Sequence, residues 1–251
     1  MKTAVVLAML AGLLAMAPAR AEDPPSCEVP AYLLTSESAL PKVAAAVKPG
    51  GKLNILVIGS RSSVIGVSDS SIAYPGRLQA VLREKLPTVE VNVSLELQVK
   101  KTAEDMVPTL GRLVEDRKPD LVIWQTGTVD AMRSVDAEDF RGAIDDGVAA
   151  MRSAGTDVIL MNLQYSPRTE TMISPSAYID NMRVVAQQHD VPLFDRFAIM
   201  RHWNDAGDFD LFSASPGVEL AKRVHDCLAR ALSTFVIDAA HVNPAELRIQ
   251  R

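Results

Sequence analysis

Residues 54–66 read NILVIGSRSSVIG and place an apolar segment directly before a glycine and a polar turn. An apolar run without polar alternation is typical of a strand that is covered on both faces of a parallel sheet. In open α/β sheets, ligands and catalytic groups lie just beyond the carboxyl ends of such strands. Arg61 stands in the middle of this turn, where it brings a permanent positive charge to the expected site.

Further apolar segments alternate with amphipathic ones along the rest of the chain. The predicted strands span residues 53–58, 89–97, 120–124, 157–163 and 191–194. The predicted helices span residues 74–86, 102–115, 136–154, 176–188 and 216–234. Strict alternation predicts right-handed βαβ units and a parallel sheet between two helical layers. We therefore expect an α/β fold, a three-layer α/β/α sandwich with a flavodoxin-like sheet of about five strands.

The first residues have the pattern of a secretory signal peptide. Lys2 precedes an apolar run, and small residues stand at positions 19 and 21, which predicts a leader at residues 1–21. The apolar run is shorter than the ~20 residues that a bilayer demands, so we expect cleavage and no membrane span afterwards. The remaining chain is predicted to form an N-terminal arm at 22–51, one domain at 52–236 and a tail at 237–251. The leader predicts a periplasmic or secreted location.

Charge and cysteine content narrow the functional classes. The formal net charge is −5 and there is no Lys/Arg run, which argues against nucleic acid and anionic lipid as partners. Cys27 and Cys227 lie near opposite ends of the mature chain. In an exported protein, a disulfide between them is favoured over two buried free thiols. Two cysteines so far apart, with no histidine near the first, predict no metal site, and we expect no cofactor.

Several segments resemble the sequence blocks of the SGNH, or GDSL, hydrolases. In chain order they are NILVIGSRSS, YPGRLQAVL, TAEDM, PDLVIWQTGTVDAM and DLFSASPGVELAKRV. The resemblance covers nearly the whole mature chain and implies the α/β/α fold of that family. In the family, a serine two residues after the first glycine attacks an acyl ester, and a late Asp-x-x-His supplies the base. A glycine N–H and an asparagine side chain join the serine N–H in binding the oxyanion.

The family-defining positions carry other residues in this sequence. By the resemblance, the nucleophile's position holds Arg61, the glycine's Lys100, the asparagine's Val129 and the histidine's Ser213. Arginine cannot act as an oxygen nucleophile, valine offers no donor to an oxyanion, and serine is not a base near neutral pH. The resemblance therefore implies a catalytically degenerate pseudoenzyme with a binding or accessory role in the cell envelope.

An active esterase or acylhydrolase, acting on acyl or acetyl esters of carbohydrate or lipid, is the alternative prediction. It requires relocated catalytic residues, for which Ser62 and His202 are the candidate pair. His189 and His225 are expected to be solvated surface residues. Asp130 and Asp210 match the family's pattern, but a helix-capping role for the first and a turn-forming role for the second are favoured.

Arg61 and Lys100 are also candidate ligand-binding residues. Two cations at neighbouring strand ends would suit an anionic small molecule or an acidic envelope carbohydrate. Pairing of the same cations with Asp130 and Asp210, which would close the pocket, is the alternative. Gln164 and Tyr165, after the fourth predicted strand, are candidate lining residues. A protein partner that binds the outer face of the scaffold remains a third hypothesis.

Overall fold

The computed structural model describes residues 27–66, 70–212 and 217–249. The predicted leader, Ser213 and the first position of the last predicted helix therefore lie outside the described residues. Within the described ranges, no helix combines the length and the apolar character that crossing a bilayer requires.

A parallel sheet forms the centre of the molecule. Its strands in the described residues are β1 (Lys52–Gly59), β2 (Glu90–Leu97), β3 (Leu121–Gln125), β4 (Asp157–Met161) and β5 (Leu193–Phe194). Their order across the sheet is β2-β1-β3-β4-β5, and each neighbouring pair is parallel. Strands β3 and β4 are buried along their whole length, as their unbroken apolar runs require. The predicted flavodoxin-like sheet is confirmed.

Helices connect and cover these strands. Those in the described residues are α1 (Pro41–Ala46), α2 (Tyr74–Lys85), α3 (Ala103–Arg117), α4 (Thr128–Met132), α5 (Ala137–Ser153), α6 (Pro167–Met172), α7 (Ser176–Gln188), α8 (Arg196–Asp205), α9 (Gly217–Ala239) and α10 (Pro244–Ile249). Helix α2 packs against α9, whereas α3, α5 and α7 pack side by side. The chain turns back across the sheet after β2, so right-handed crossovers place these two groups on opposite faces. The three-layer sandwich is therefore confirmed.

The N-terminal arm is fastened to the domain at several points. The predicted disulfide between Cys27 and Cys227 is present and joins the start of the arm to α9. The indole N–H of Trp203 donates to the Glu28 carbonyl at 2.9 Å. Asp157 accepts hydrogen bonds from the backbone N–H groups of Lys42 and Val43, which caps α1 against the amino end of β4. The arm thus closes one side of the core.

The main difference from the sequence prediction is α8, which begins directly after the short strand β5 and was not predicted. Its N-cap is Asp195, whose carboxylate accepts from the Ala198 N–H at 3.0 Å. The same carboxylate accepts a hydrogen bond from the side chain of Asn162 at 2.7 Å. Asn162 follows β4 directly, and this strand ends at Met161, two residues earlier than predicted. Helix α9 continues to Ala239 because its apolar face continues, and α10 occupies the predicted tail.

Candidate functional site

A groove of about 790 Å³ opens at the carboxyl edge of the sheet. It lies beside the ends of β1 and β3. These two strands are neighbours in the sheet, but the chain continues from β1 toward one edge of the sheet and from β3 toward the other. Open α/β sheets bind their ligands at such a position. Arg61, Lys100 and Gln164 all line the groove, so the structure brings these three candidate residues together.

The turn after β1 is a short 3₁₀ helix over Arg61–Ser63. The Ser63 N–H donates to the Ser60 carbonyl at 2.9 Å, and the Ser63 side chain folds back beneath Gly59. A Cβ atom on Gly59 would lie 2.1 Å from Ser63 Oγ, so only glycine fits at the end of β1. Ser63 is consequently buried, whereas Ser60, Arg61 and Ser62 face the groove.

Gln125, at the end of β3, holds the serines of this turn. Its Nε2 donates to Ser60 Oγ at 2.9 Å and to Ser62 Oγ at 2.8 Å. Its Oε1 accepts from Ser63 Oγ at 2.8 Å and from the Tyr74 hydroxyl at 3.0 Å. Both amide protons and the amide oxygen are therefore engaged, which suits a side chain that is only 2% exposed. This network fixes the position of the turn relative to the sheet.

Ser62, the candidate relocated nucleophile, is an acceptor in this network. Its Oγ accepts from Gln125 and from Arg196 Nη1, the second at 3.3 Å, and lies 3.4 Å from Ser60 Oγ. These bonds engage the lone pairs with which an attacking hydroxyl reaches a carbonyl carbon. Within the described part of the chain, no hydrogen bond joins Ser62 to His202, which lies half-buried on α8. The structure does not connect the candidate pair.

The backbone at Lys100 explains why a glycine is expected there. Lys100 has φ +60°, in the left-handed region that glycine adopts without steric cost. Its side chain is exposed and lines the groove. Val129 on α4, which is partly buried, also lines the groove. The left-handed backbone at Lys100 is compatible with the glycine that the resemblance implies there, but the chain carries a long cationic side chain at this position.

Asp130 has a structural role. It is 1% exposed, and its two carboxylate oxygens accept from the Ala103 N–H at 2.8 Å and the Gly127 N–H at 3.2 Å. It therefore caps α3 and the turn that begins α4. Burial raises the pKa of this carboxyl group, and the two backbone donors lower it in part. Asp210 is exposed and accepts from the Phe212 N–H at 3.1 Å, as a turn-forming aspartate does.

The structure corrects two other expectations. Tyr165 is buried and packs edge-on against Phe197 with ring centroids 5.2 Å apart, so it belongs to the core and does not line the groove. His225 on α9 is buried rather than solvated. Its Nδ1 accepts a hydrogen bond at 2.9 Å from the backbone N–H of Tyr74, the first residue of α2. His189 is partly exposed and bonds to Asp145 at 2.8 Å.

Burial and charge suppress protonation of His225. Its pKa is lowered to about 4, first by desolvation and then by the positive charges of Arg196 and Arg77. An imidazole in this state is neutral at ordinary pH, and it serves as a hydrogen-bond acceptor for the start of α2. Among the described residues, His225 does not form a serine–histidine pair, since its bonded partner is a backbone N–H rather than a serine hydroxyl.

Arg196 is the functional-site residue that the sequence prediction missed. It is 1% exposed, lies at the first turn of α8 and donates to Ser62 Oγ, although it is not among the residues that line the groove. The only sequence signal is that Arg196 and its neighbour Asp195 interrupt the otherwise apolar LFDRFAIM, which does not separate a buried cation from a surface one.

The charged side chains that line the groove, among the described residues, are all positive. Arg61, Lys100 and Arg133 line it, and no carboxylate does within the described residues. Arg133 also lies 3.7 Å from Asp105 at the start of α3, which partly offsets its charge. No group of three or more metal-binding side chains occurs in the described ranges. The arrangement can therefore attract an anion, and its hydroxyl and amide groups can hydrogen-bond to one.

The parallel five-stranded sheet and the helices on its two faces match the fold of SGNH-type hydrolases. Residues 26–242 match the Non-GDSL lipase-like family, so the chain belongs to that family. No curated protein matches the sequence.

Solved structures support the same fold. The lipase/acylhydrolase from Enterococcus faecalis superposes with a TM-score of 0.60 at 17% identity, over 76% of this chain and 98% of that one. Axe2, an acetylxylan esterase from Geobacillus stearothermophilus, gives 0.59 at 18% identity, over 76% and 96%. TesA gives 0.57 at 19% identity, over 72% and 99%. At these identities the similarity shows the fold, and the site has to be read from its own residues.

Proposed function

We propose that this protein is a catalytically inactive member of its hydrolase-like family, which binds an anionic ligand in the strand-end groove as part of a role in the cell envelope. One observation carries the proposal: the position of the family's nucleophile holds Arg61, in a groove that is lined by cations and by no described carboxylate. The ligand class that suits this groove is a carboxylate-bearing small molecule or an acidic carbohydrate.

The absence of a base argues against ester hydrolysis. A serine attacks an ester only when a neighbouring group accepts its proton. Among the described residues, the groove serines bond to Gln125, to Arg196 and to each other, and to no imidazole. The family's histidine position is Ser213 in the sequence. Val129 also supplies no side-chain donor, and one oxyanion donor is worth about 3–4 kcal/mol of transition-state stabilisation.

The binding proposal is tested with two series of oligosaccharides. Oligogalacturonate should bind the purified protein in isothermal titration calorimetry, and neutral oligosaccharides of the same length should not. Arg61→Gln/Lys100→Gln should weaken binding at least tenfold, because it removes two of the cations that line the groove. Lys48→Gln/Arg112→Gln is the matched control, since it removes the same charge from exposed positions outside the groove. Equal weakening by both double variants would show that binding is only a general charge effect.

Ester hydrolysis by Ser62 is the second candidate function, because Ser62 lines the groove and the fold is shared with esterases. It is distinguished by a fluorophosphonate probe and by turnover of p-nitrophenyl acetate. We expect no labelled serine and no turnover above that of the Ser62→Ala variant. Labelling that Ser62→Ala abolishes and Ser60→Ala retains would establish an active esterase and reject the inactive assignment.

A further inference from the structure

The strongest unexplained feature of the molecule is the buried guanidinium of Arg196. The side chain is 1% exposed, and within the part of the chain that the structure describes only its Nη1 has a hydrogen-bond acceptor, Ser62 Oγ at 3.3 Å. Its Nε and Nη2 atoms are buried without a hydrogen-bond partner. Buried donors are nearly always satisfied, and an unsatisfied donor on a charged group costs more than one on a neutral group. Arg196 therefore presents two unsatisfied charged donors inside the protein.

The two unsatisfied donors lie on the same edge of the guanidinium plane. In arginine, the Nε–H and one Nη2–H bond point in parallel, whereas Nη1 lies on the side of the aliphatic stem. This edge is the planar fork that binds the two oxygens of a carboxylate with two parallel hydrogen bonds. The pattern of satisfied and unsatisfied atoms thus leaves one complete bidentate site, rather than two unrelated donors.

Among the described residues, no carboxylate compensates the charge of Arg196 either. No carboxylate of the described residues forms an ion pair with it, and the neighbouring Asp195 instead accepts from Asn162 and pairs with Arg183. Burial lowers the pKa of Arg196 to about 10, and an electrostatic interaction with Tyr74 opposes this in part. His225 is the other titratable group that faces it, and the charge of Arg196 helps to hold that imidazole neutral. A cation in such surroundings stabilises the folded chain only when an anion accompanies it.

We propose that the Nε/Nη2 edge of Arg196 binds a small carboxylate, of the size of formate or acetate, at a site beneath Ser62. Ser62 lines the groove and contacts Arg196, whereas Arg196 is not a lining residue, so the proposed site is distinct from the one formed by Arg61 and Lys100. The anion balances the buried charge and stabilises the turn that carries Ser60–Ser62. The proposal goes beyond the binding function of the groove and does not depend on it.

The test measures carboxylate binding to the purified protein directly. Equilibrium dialysis with radiolabelled acetate should give one bound acetate per chain, displaced by formate and not by chloride at equal ionic strength. The midpoint of urea unfolding should rise with the logarithm of acetate concentration, relative to sodium chloride. If the wild-type protein binds no acetate, that result alone overturns the proposal.

Substitutions of Arg196 locate the site. Arg196→Met keeps the length and removes both charge and fork, and apolar replacement of a buried ion is often tolerated. We expect it to fold and to lose acetate binding at least tenfold, and Arg196→Lys to lose it nearly as much because lysine has no planar fork. Arg61→Gln/Lys100→Gln should bind acetate as the wild type does, which separates this proposal from that of the groove. Acetate binding that survives in Arg196→Met would overturn the assignment.

An acidic residue of the chain itself is the competing partner. Asp69 lies outside the described residues, and Asp69→Asn serves as the test of that alternative. If acetate binds at Arg196, Asp69→Asn should leave acetate affinity unchanged. Acetate binding by the Asp69→Asn variant, with none by the wild type, would show that the partner is internal and would reject the proposed ligand.

Discussion

Replacing Asp130 by alanine should destabilise the fold strongly, although the residue occupies a position that the family resemblance associates with the active site. The substitution leaves the Ala103 and Gly127 N–H groups without their acceptor, and both residues are buried. Each orphaned buried N–H costs about 1–3 kcal/mol. Relief from burying a carboxylate, shown by the raised pKa of Asp130, offsets part of that cost. We therefore expect a loss of about 2–4 kcal/mol in the free energy of unfolding.

Urea unfolding followed by circular dichroism measures this loss, and Asp136→Ala is the matched control. Asp136 also caps a helix, accepting from the Glu138 and Asp139 N–H groups at the start of α5, but it is exposed. Water replaces the lost acceptor at an exposed cap, so the control should lose only about 1 kcal/mol. Equal losses at the two positions would refute the argument that burial makes the Asp130 cap essential.

The pH dependence of the Asp130→Asn variant supplies an independent check. Because the pKa is raised in the folded state, folding favours the protonated carboxyl, and stability falls as the pH rises through the folded-state pKa. Asparagine cannot ionise and keeps one acceptor oxygen. The Asn variant should therefore gain stability relative to the wild type as the pH rises from about 4 to 7. A constant difference over that range would contradict the raised pKa.

Three other predictions concern stability. Reduction of the disulfide, which closes a sequence separation of 200 residues, should lower the free energy of unfolding by about 4–5 kcal/mol in urea titrations with and without reductant. The folded-state pKa of His225, about 4, lies below its unfolded value, so stability should fall as the pH drops below about 6.5, and thermal unfolding of His225→Asn should show a weaker dependence. Gly147→Ala should cost about 1–3 kcal/mol because its Cβ would lie 2.4 Å from the Trp124 ring. Gly142→Ala in the same helix meets no atom within 4 Å and should stabilise by about 0.5–1 kcal/mol, and similar effects of the two substitutions would refute the packing argument.

Local patterns predicted the elements that build the site, but not all of them. The apolar runs located β1 to β5, and the amphipathic periods located the long helices, because both signals arise from neighbours in the chain. Helix α8 was missed because a buried arginine stands at its first turn, where apolar periodicity would otherwise begin. That miss concealed the residue behind Ser62, and with it the buried charge of the site.

Several side chains could be assigned only after their surroundings were known. His225 has the sequence context of a surface residue, yet it is buried because the start of α2 packs over it and supplies its hydrogen bond. Tyr165 follows a strand, as groove residues do, but its ring turns toward Phe197 and into the core. In both cases, the deciding neighbour lies more than thirty positions away in the chain, as the contacts show.

The amino-acid sequence by itself determined the parallel sandwich and the disulfide partners, because these follow from local periodicity and from a cysteine count of two. The tertiary structure alone decided that Gln125 ties the serines together, that Asp130 caps two segments and that Arg196 is buried without an anion partner among the described residues. Hydrogen bonding and desolvation depend on distances between remote segments, and those distances exist only in the folded chain.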